Sequence, residues 1–137
     1  MTAEAFPEIV PVLYILMRGD LDSMNAGKGM AQASHAASAF AMCMTGDTSL
    51  LYKKWFIETR QGFGTVLVLS VNETEMRTAV TVGNQLGYIC DVIHDPSYPI
   101  RDGEICHFLP IDTCAYVFGD KNDPLLSAVV GNFPLHP

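Results

Sequence analysis

The chain has 137 residues, of which 49% are apolar and 17% charged, a balance that excludes a disordered segment and leaves room for one real core. Eight Lys and Arg against fifteen Asp and Glu give a formal net charge of −7. That sign excludes general affinity for nucleic acid or an anionic membrane, so any nucleic-acid partner needs a local basic patch that the total conceals.

Residues 10–17 (VPVLYILM) form a short, continuous apolar run rich in β-branched and aromatic side chains, which predicts a strand buried on both faces. A polar loop, 18–25, leads into an Ala-rich helix expected over 26–44, which Thr45-Gly46-Asp47 ends because glycine accepts a left-handed turn. A second helix is expected over 49–60, with Leu50, Leu51, Trp55 and Ile57 facing inward. Residues 65–71 (TVLVLSV) read as another buried strand. Asn72 and Glu75 then form a capping-box pattern for a helix that ends near Gly87.

Residues 88–94 predict a third strand, and 95–103 (DPSYPIRDG) a loop, because Pro and Gly punctuate it. Two further strands are expected over 105–109 and 113–118, and Asp123-Pro124 opens a short last helix. No repeat, linker or low-complexity stretch interrupts the chain, so residues 1–137 are expected to form one domain. The alternation predicts an α/β fold in three layers, a mixed sheet of roughly four strands with helices on both faces.

No run of eighteen apolar residues occurs, so no membrane span is expected. The opening MTAEAFPE is acidic and has no signal-peptide pattern, which points to the cytoplasm. Cys43, Cys90, Cys106 and Cys114 include no CxxC pair and read as four reduced thiols without metal or disulfide. A zinc set of Cys90, His94, Cys106 and His107 fits no usual ligand spacing.

The Ala-rich helix carries the polar constellation. At about 100° per residue, Met30, Ala33, Ala37, Phe40, Ala41 and Met44 share an apolar face. Lys28, Gln32 and His35 then form a stripe on the other side. The stripe follows the first strand directly, where ligand sites of α/β sheets lie. Spacing alone leaves two alternatives open, a site or a solvated lysine beside a satisfied core histidine. A phosphate-binding P-loop is excluded, because Asp22 and Gly29 stand where that motif needs glycine and Ser or Thr.

Arg18-Gly19-Asp20-Leu21, Met24 and the run GKGMAQASHAA at 27–37 closely resemble the first signature of the type-2 peptidyl-tRNA hydrolases, R-x-D-L-x-M-x-x-G-K-x-A-A-Q-C-S-H-A-A. One extra residue separates Leu21 from Met24, and Met30 and Ala33 replace an alanine and the cysteine. The resemblance covers nearly the whole chain: Trp55 matches a frequent family tryptophan, 88–95 (YICDVIHD) the strand before its D-A-G-R-T-Q loop, and 113–135 its final strand and helix. After Asp95 the sequence departs, with Pro96-Ser97-Tyr98-Pro99-Ile100 replacing Ala-Gly-Arg-Thr-Gln, so the family's active-site threonine is gone. Residues 105–112 look like added sequence that lengthens a hairpin.

The resemblance implies hydrolysis of the ester between a peptide and the 3′ ribose of tRNA, with no cofactor and no metal. It assigns catalysis to Lys28, as electrostatic stabiliser near the scissile ester, and to Asp95 and His35. Asp95, at the end of a parallel-type strand, would orient or deprotonate a water. Arg18, Asp20 and Gln32, with Ser97 or Tyr98 supplying the missing hydroxyl, are expected to bind substrate. Lys28, Asp95 and His35 are expected to face one shared pocket. Without the resemblance, Asp95 reads as a loop residue that bonds its own backbone.

Arg18, Lys28, Lys53, Lys54, Arg60 and Arg101 are the cations available to gather for tRNA. The partners implied are peptidyl-tRNA or a related acyl ester and a second copy of the chain, with neither membrane nor DNA. The replaced loop also allows a different class, a member that keeps the fold as a binding or regulatory module. Turnover of a peptidyl-tRNA separates the two.

Overall fold

The computed structural model describes residues 8–137. The acidic opening that carries the expectation about export lies outside them, except for Glu8. Eight elements follow in order: β1 (Pro11–Arg18), α1 (Ala26–Cys43), α2 (Leu50–Phe56), β2 (Val66–Val71), α3 (Glu73–Gln85), β3 (Ile89–Asp102), β4 (Ile105–Asp120) and α4 (Pro124–Val130). The strands form one open sheet in the order β2-β1-β4-β3, with β1 parallel to β2 and antiparallel to β4, and β4 antiparallel to β3.

β1 is buried at all eight positions, as its unbroken apolar run requires of a central strand covered on both faces. Its residues divide by parity. Val12, Tyr14 and Leu16 meet Met76, Ala79 and Val80 of α3 and Leu126, Val129 and Val130 of α4. Leu13, Ile15 and Met17 meet Ala36 and Phe40 of α1 and Trp55 of α2. Two cores on opposite sides of one sheet make the three-layer α/β fold that the element order predicts. The capping box of α3 is present, with Asn72 and Glu75 each bonding the other's backbone N–H. Beyond β2 the sheet edge is covered by the chain's own tail, because Ser70 N–H donates to Pro134 and His136 N–H to Val68.

Three expectations need correction. The buried positions of α1 are Gly29, Gln32, Ala36 and Phe40, whereas Met30 is 71% exposed and Ala41 is also exposed. The inward face is therefore rotated from the one drawn through Met30, Ala33 and Ala37. The alanines and glycines that fill this helix carry too little apolar area to fix an angle, and Phe40 belongs to both candidate faces. In α2 the helix stops at Phe56, Leu50 and Ile57 are exposed, and Tyr52 with Trp55 packs on Phe40 instead.

The third correction concerns the hairpin. Residues 95–102 are not a loop but the outer half of β3, and the two strands expected over 105–109 and 113–118 are one, β4. Pro96 and Pro99 are tolerated because β3 is an edge strand, whose outer N–H groups need no partner. The turn itself is Gly103-Glu104, with Gly103 at the left-handed φ of +61°. The segment 105–112 lengthens this hairpin, as its added look suggests.

All four cysteines are free; Cys43 and Cys106 are exposed and Cys114 is buried. Burial pushes the Cys114 thiol up to about 11. A thiol reagent at neutral pH is therefore expected to modify Cys43 and Cys106 quickly, and Cys114 only as the protein unfolds. Titration in denaturant should count four thiols. A lower count would show that a thiol is bridged or blocked.

Candidate active site

The site forms where α1 crosses the junction of β3 and β4, and two β-bulges shape it. In the first, Ile93 pairs with Cys114 and His94 with Asp112, so Thr113 is the extra residue. A bulge re-aims side chains by breaking the alternation of the strand. Thr113 and Cys114 consequently both face α1: the Thr113 hydroxyl donates to Gln32 Oε1 at 2.6 Å, and the Cys114 thiol lies 3.6 Å from the Gln32 backbone carbonyl. Asp112 is thrown to the α3 side, where it bonds Arg77 and His94. The second bulge lies between Asp95 and Tyr98 and brings Tyr98 onto the same face as Asp95.

Gln32 is only 3% exposed. A buried amide needs its hydrogen bonds met, and here both ends are satisfied. With its carbonyl taken by Thr113, its NH₂ donates to Asp95 Oδ2 at 2.7 Å. Asp95 Oδ1 accepts the Ser97 backbone N–H at 2.9 Å. Partial burial works to raise the Asp95 pKa, but the bonds from Gln32 and Ser97 and the nearby His35 and His94 outweigh it. The net shift is downward. Asp95 is therefore a carboxylate at neutral pH, well suited to orient a water and weak as a base.

Lys28 sits in the first turn of α1, its backbone N–H capped by the Asn25 side chain at 2.9 Å. Its ammonium reaches across to β3, donating to the Pro99 carbonyl at 2.6 Å and lying 5.1 Å from the centre of the Tyr98 ring. This combines a charge-assisted hydrogen bond with a cation–π contact. The carbonyl takes one of three N–H donors and leaves two. Tyr98 is 0% exposed, and its hydroxyl lies 3.0 Å from Ser23 and 3.9 Å from Met24. It is a wall beneath Lys28, and its phenol is not offered to a substrate. Ser97 and His35 are exposed, and His35 lies close enough to lower the Asp95 pKa.

The structure thus brings Gln32, Asp95 and Ser97 together, and sets Lys28 on Tyr98 and Pro99 of the same strand. Arg18 and Asp20 go elsewhere. Arg18, 8% exposed, makes a two-pronged pair with Asp20 at 3.0 Å, reaches Glu73 at 2.8 Å, and donates to the Asp112 carbonyl at 3.2 Å. The Arg18 hydrogen bond is the main reason that the Asp20 pKa falls. These residues lie on the α3 side of the sheet, beside a cleft of about 300 Å³ lined by Leu21, Arg77, His94 and Asp112. Asp95 does not close a parallel strand either; β3 runs antiparallel to β4 and carries Asp95 at a bulge.

The expected gathering of cations also needs correction. Lys54 bonds the Ile9 carbonyl and lies 3.7 Å from Glu8, at the opposite end of β1 from Arg18. The strand between them is about 25 Å long at its usual rise, so α2 with Lys53 and Lys54 is remote from the site. Among the described residues no group of three His, Cys, Asp or Glu is arranged to hold a metal, and no helix is long and apolar enough to cross a membrane. Sequence reasoning missed Thr113 and Ser23. Nothing in the local sequence flags the bulge that turns Thr113 inward.

The model of the family described as peptidyl-tRNA hydrolase PTH2 matches residues 11–133, which takes in every strand and helix. The chain belongs to the type-2 peptidyl-tRNA hydrolase family. Its mixed four-stranded sheet with helices on both faces accords with that membership. No curated protein sequence matches the chain significantly. Among solved structures, a protein of unknown function from Agrobacterium tumefaciens strain C58 is similar, with a TM-score of 0.59 at 7% identity. The match covers 93% of this chain and 98% of that one. At such low identity the likeness concerns the fold alone.

Proposed function

We propose that this family member hydrolyses the ester of peptidyl-tRNA, or of another N-acylated aminoacyl-tRNA. One observation carries the reading: the Lys28 ammonium and the Gln32-gripped Asp95 carboxylate lie on one face of β3, four residues apart at Pro99 and Asp95. Ester hydrolysis needs an oriented water and compensation for the negative charge that develops on the carbonyl oxygen. Asp95 holds the water, and the two free donors of Lys28 meet the oxyanion. The bond between the acyl carbon and the ribose 3′ oxygen breaks. The proton lost by the water passes to that oxygen, giving a peptide acid and free tRNA.

Gln32 and Thr113 set the orientation of Asp95, and the exposed Ser97 hydroxyl and His35 imidazole contact the substrate at the rim. Arg18 and Asp20 anchor the end of β1 rather than touch substrate. A substrate supplied by translation accords with a cytoplasmic location.

The test is release of free tRNA from an N-acetyl-aminoacyl-tRNA by the purified chain. Turnover proportional to protein, and lower by about a hundredfold or more in a Lys28→Ala sample, is the expected result. If the ester survives at high protein concentration, the hydrolase reading fails and a binding module takes its place.

A further inference from the structure

We propose that Asp112 is a positioning residue for the Gln32–Asp95 pair, acting through the bulge at Thr113. Three fixed groups grip it. Arg77 on α3 donates to Oδ2 at 2.8 Å, His94 on β3 donates from Nδ1 to Oδ1 at 2.8 Å, and the buried Arg18 guanidinium holds its backbone carbonyl at 3.2 Å. Glu73 ties the two guanidiniums together, at 2.8 Å from Arg18 and 3.5 Å from Arg77. Elements β1, α3, β3 and β4 therefore meet at this one residue, and the Arg77 bond is the main reason that its carboxyl pKa falls.

The geometry links this cluster to the site on the other side of the sheet. Asp112 precedes Thr113, and His94 precedes Asp95. In each pair the first residue faces α3 and the second faces α1. A regular strand would place residue 112 on the same side as Cys114, which packs on α1. Only the bulge lets Asp112 face Arg77 while Thr113 faces Gln32. The Arg77 guanidinium and the His94 ring N–H on Asp112 favour the bulged register over the regular one, in which a carboxylate would be buried against α1. The clamp thereby aims the Thr113 hydroxyl at the Gln32 side-chain carbonyl, and that bond holds in place the amide whose NH₂ the Asp95 carboxylate accepts.

The kinetic part of the test rests on the hydrolase reading, and the spectroscopic part does not. In an amide-resolved NMR spectrum, Asp112→Asn is expected to shift both side-chain NH₂ signals of Gln32 and to speed their exchange with water about tenfold or more. In the tRNA-release assay it is expected to lower kcat about ten- to a hundredfold, as small misplacements do, with KM changed less than twofold. Adding Thr113→Val to Asp112→Asn should cost little further, because both changes release the same amide. Arg77→Met, which leaves the His94 bond, serves if Asp112→Asn does not fold; it should move the same signals in the same direction. Unchanged Gln32 signals in the folded variants overturn the proposal. Changed signals without wild-type turnover uphold it and remove only the hydrolase reading.

Discussion

Lys28→Ala is expected to lower turnover by about a hundredfold or more, as removal of an oxyanion-stabilising donor does, while the fold stays intact. The ammonium does not fill a core position. It bonds the Pro99 carbonyl at 2.6 Å and rests on the Tyr98 ring, and its backbone remains capped by Asn25. Truncation exposes that carbonyl to water instead of stranding it, so the expected loss of stability is about 1 kcal/mol, measured by urea unfolding. The effect on rate is larger because the interaction strengthens as charge develops on the substrate. Lys28→Arg should recover little. A planar fork that satisfies Pro99 points its remaining donors along fixed directions, whereas an ammonium distributes three around one atom. Wild-type turnover in Lys28→Ala would sink the catalytic assignment, and a kcat loss matched by a comparable loss of folded protein would make the residue structural.

How much of this site was legible in the sequence depends on the range of each interaction. The strand at 10–17 and the Asn72–Glu75 cap are local patterns, and both are found where the residues place them. Lys28 and Asp95 were singled out through motif resemblance, since nothing in spacing links residues 28 and 95. Gln32 shows why periodicity alone fails. A polar side chain on an Ala-rich helix reads as solvent-facing, yet here it turns inward because Thr113 and Asp95 meet both ends of its amide. That pairing spans more than sixty residues of chain and depends on a bulge, which has no composition of its own. The hairpin was hidden for the opposite reason. Pro96, Pro99 and Gly103 are turn signals, but two of the three sit on an edge strand, where a missing N–H costs nothing.

Asp95→Asn is expected to lower turnover by at least about a hundredfold, comparable to loss of a group that handles the attacking water, and to destabilise the fold by about 1–3 kcal/mol. Both of its oxygens accept bonds, Oδ2 from Gln32 and Oδ1 from the Ser97 N–H. An amide offers one oxygen and one NH₂, so one of those two donors must face another donor. Gln32 relieves this only by turning over, which makes the Thr113 hydroxyl give up its bond to Oε1 and accept from the amide NH₂ instead. The pH dependence follows from the direction of the Asp95 shift. Its pKa lies below the ordinary 3.8, so its contribution to stability is fully present above that value and is lost only as pH falls through the lower, folded one. Across pH 5 to 8 the carboxylate stays charged, and the rate in that range should show no acid limb due to Asp95. Rate and unfolding measured together over pH 3 to 8, for the wild type and Asp95→Asn, check both parts. Retained turnover in Asp95→Asn would remove the carboxylate from the mechanism. If an acid limb near neutrality disappears in that variant, Asp95 titrates far above its ordinary value and serves as a base rather than as an orienting acceptor.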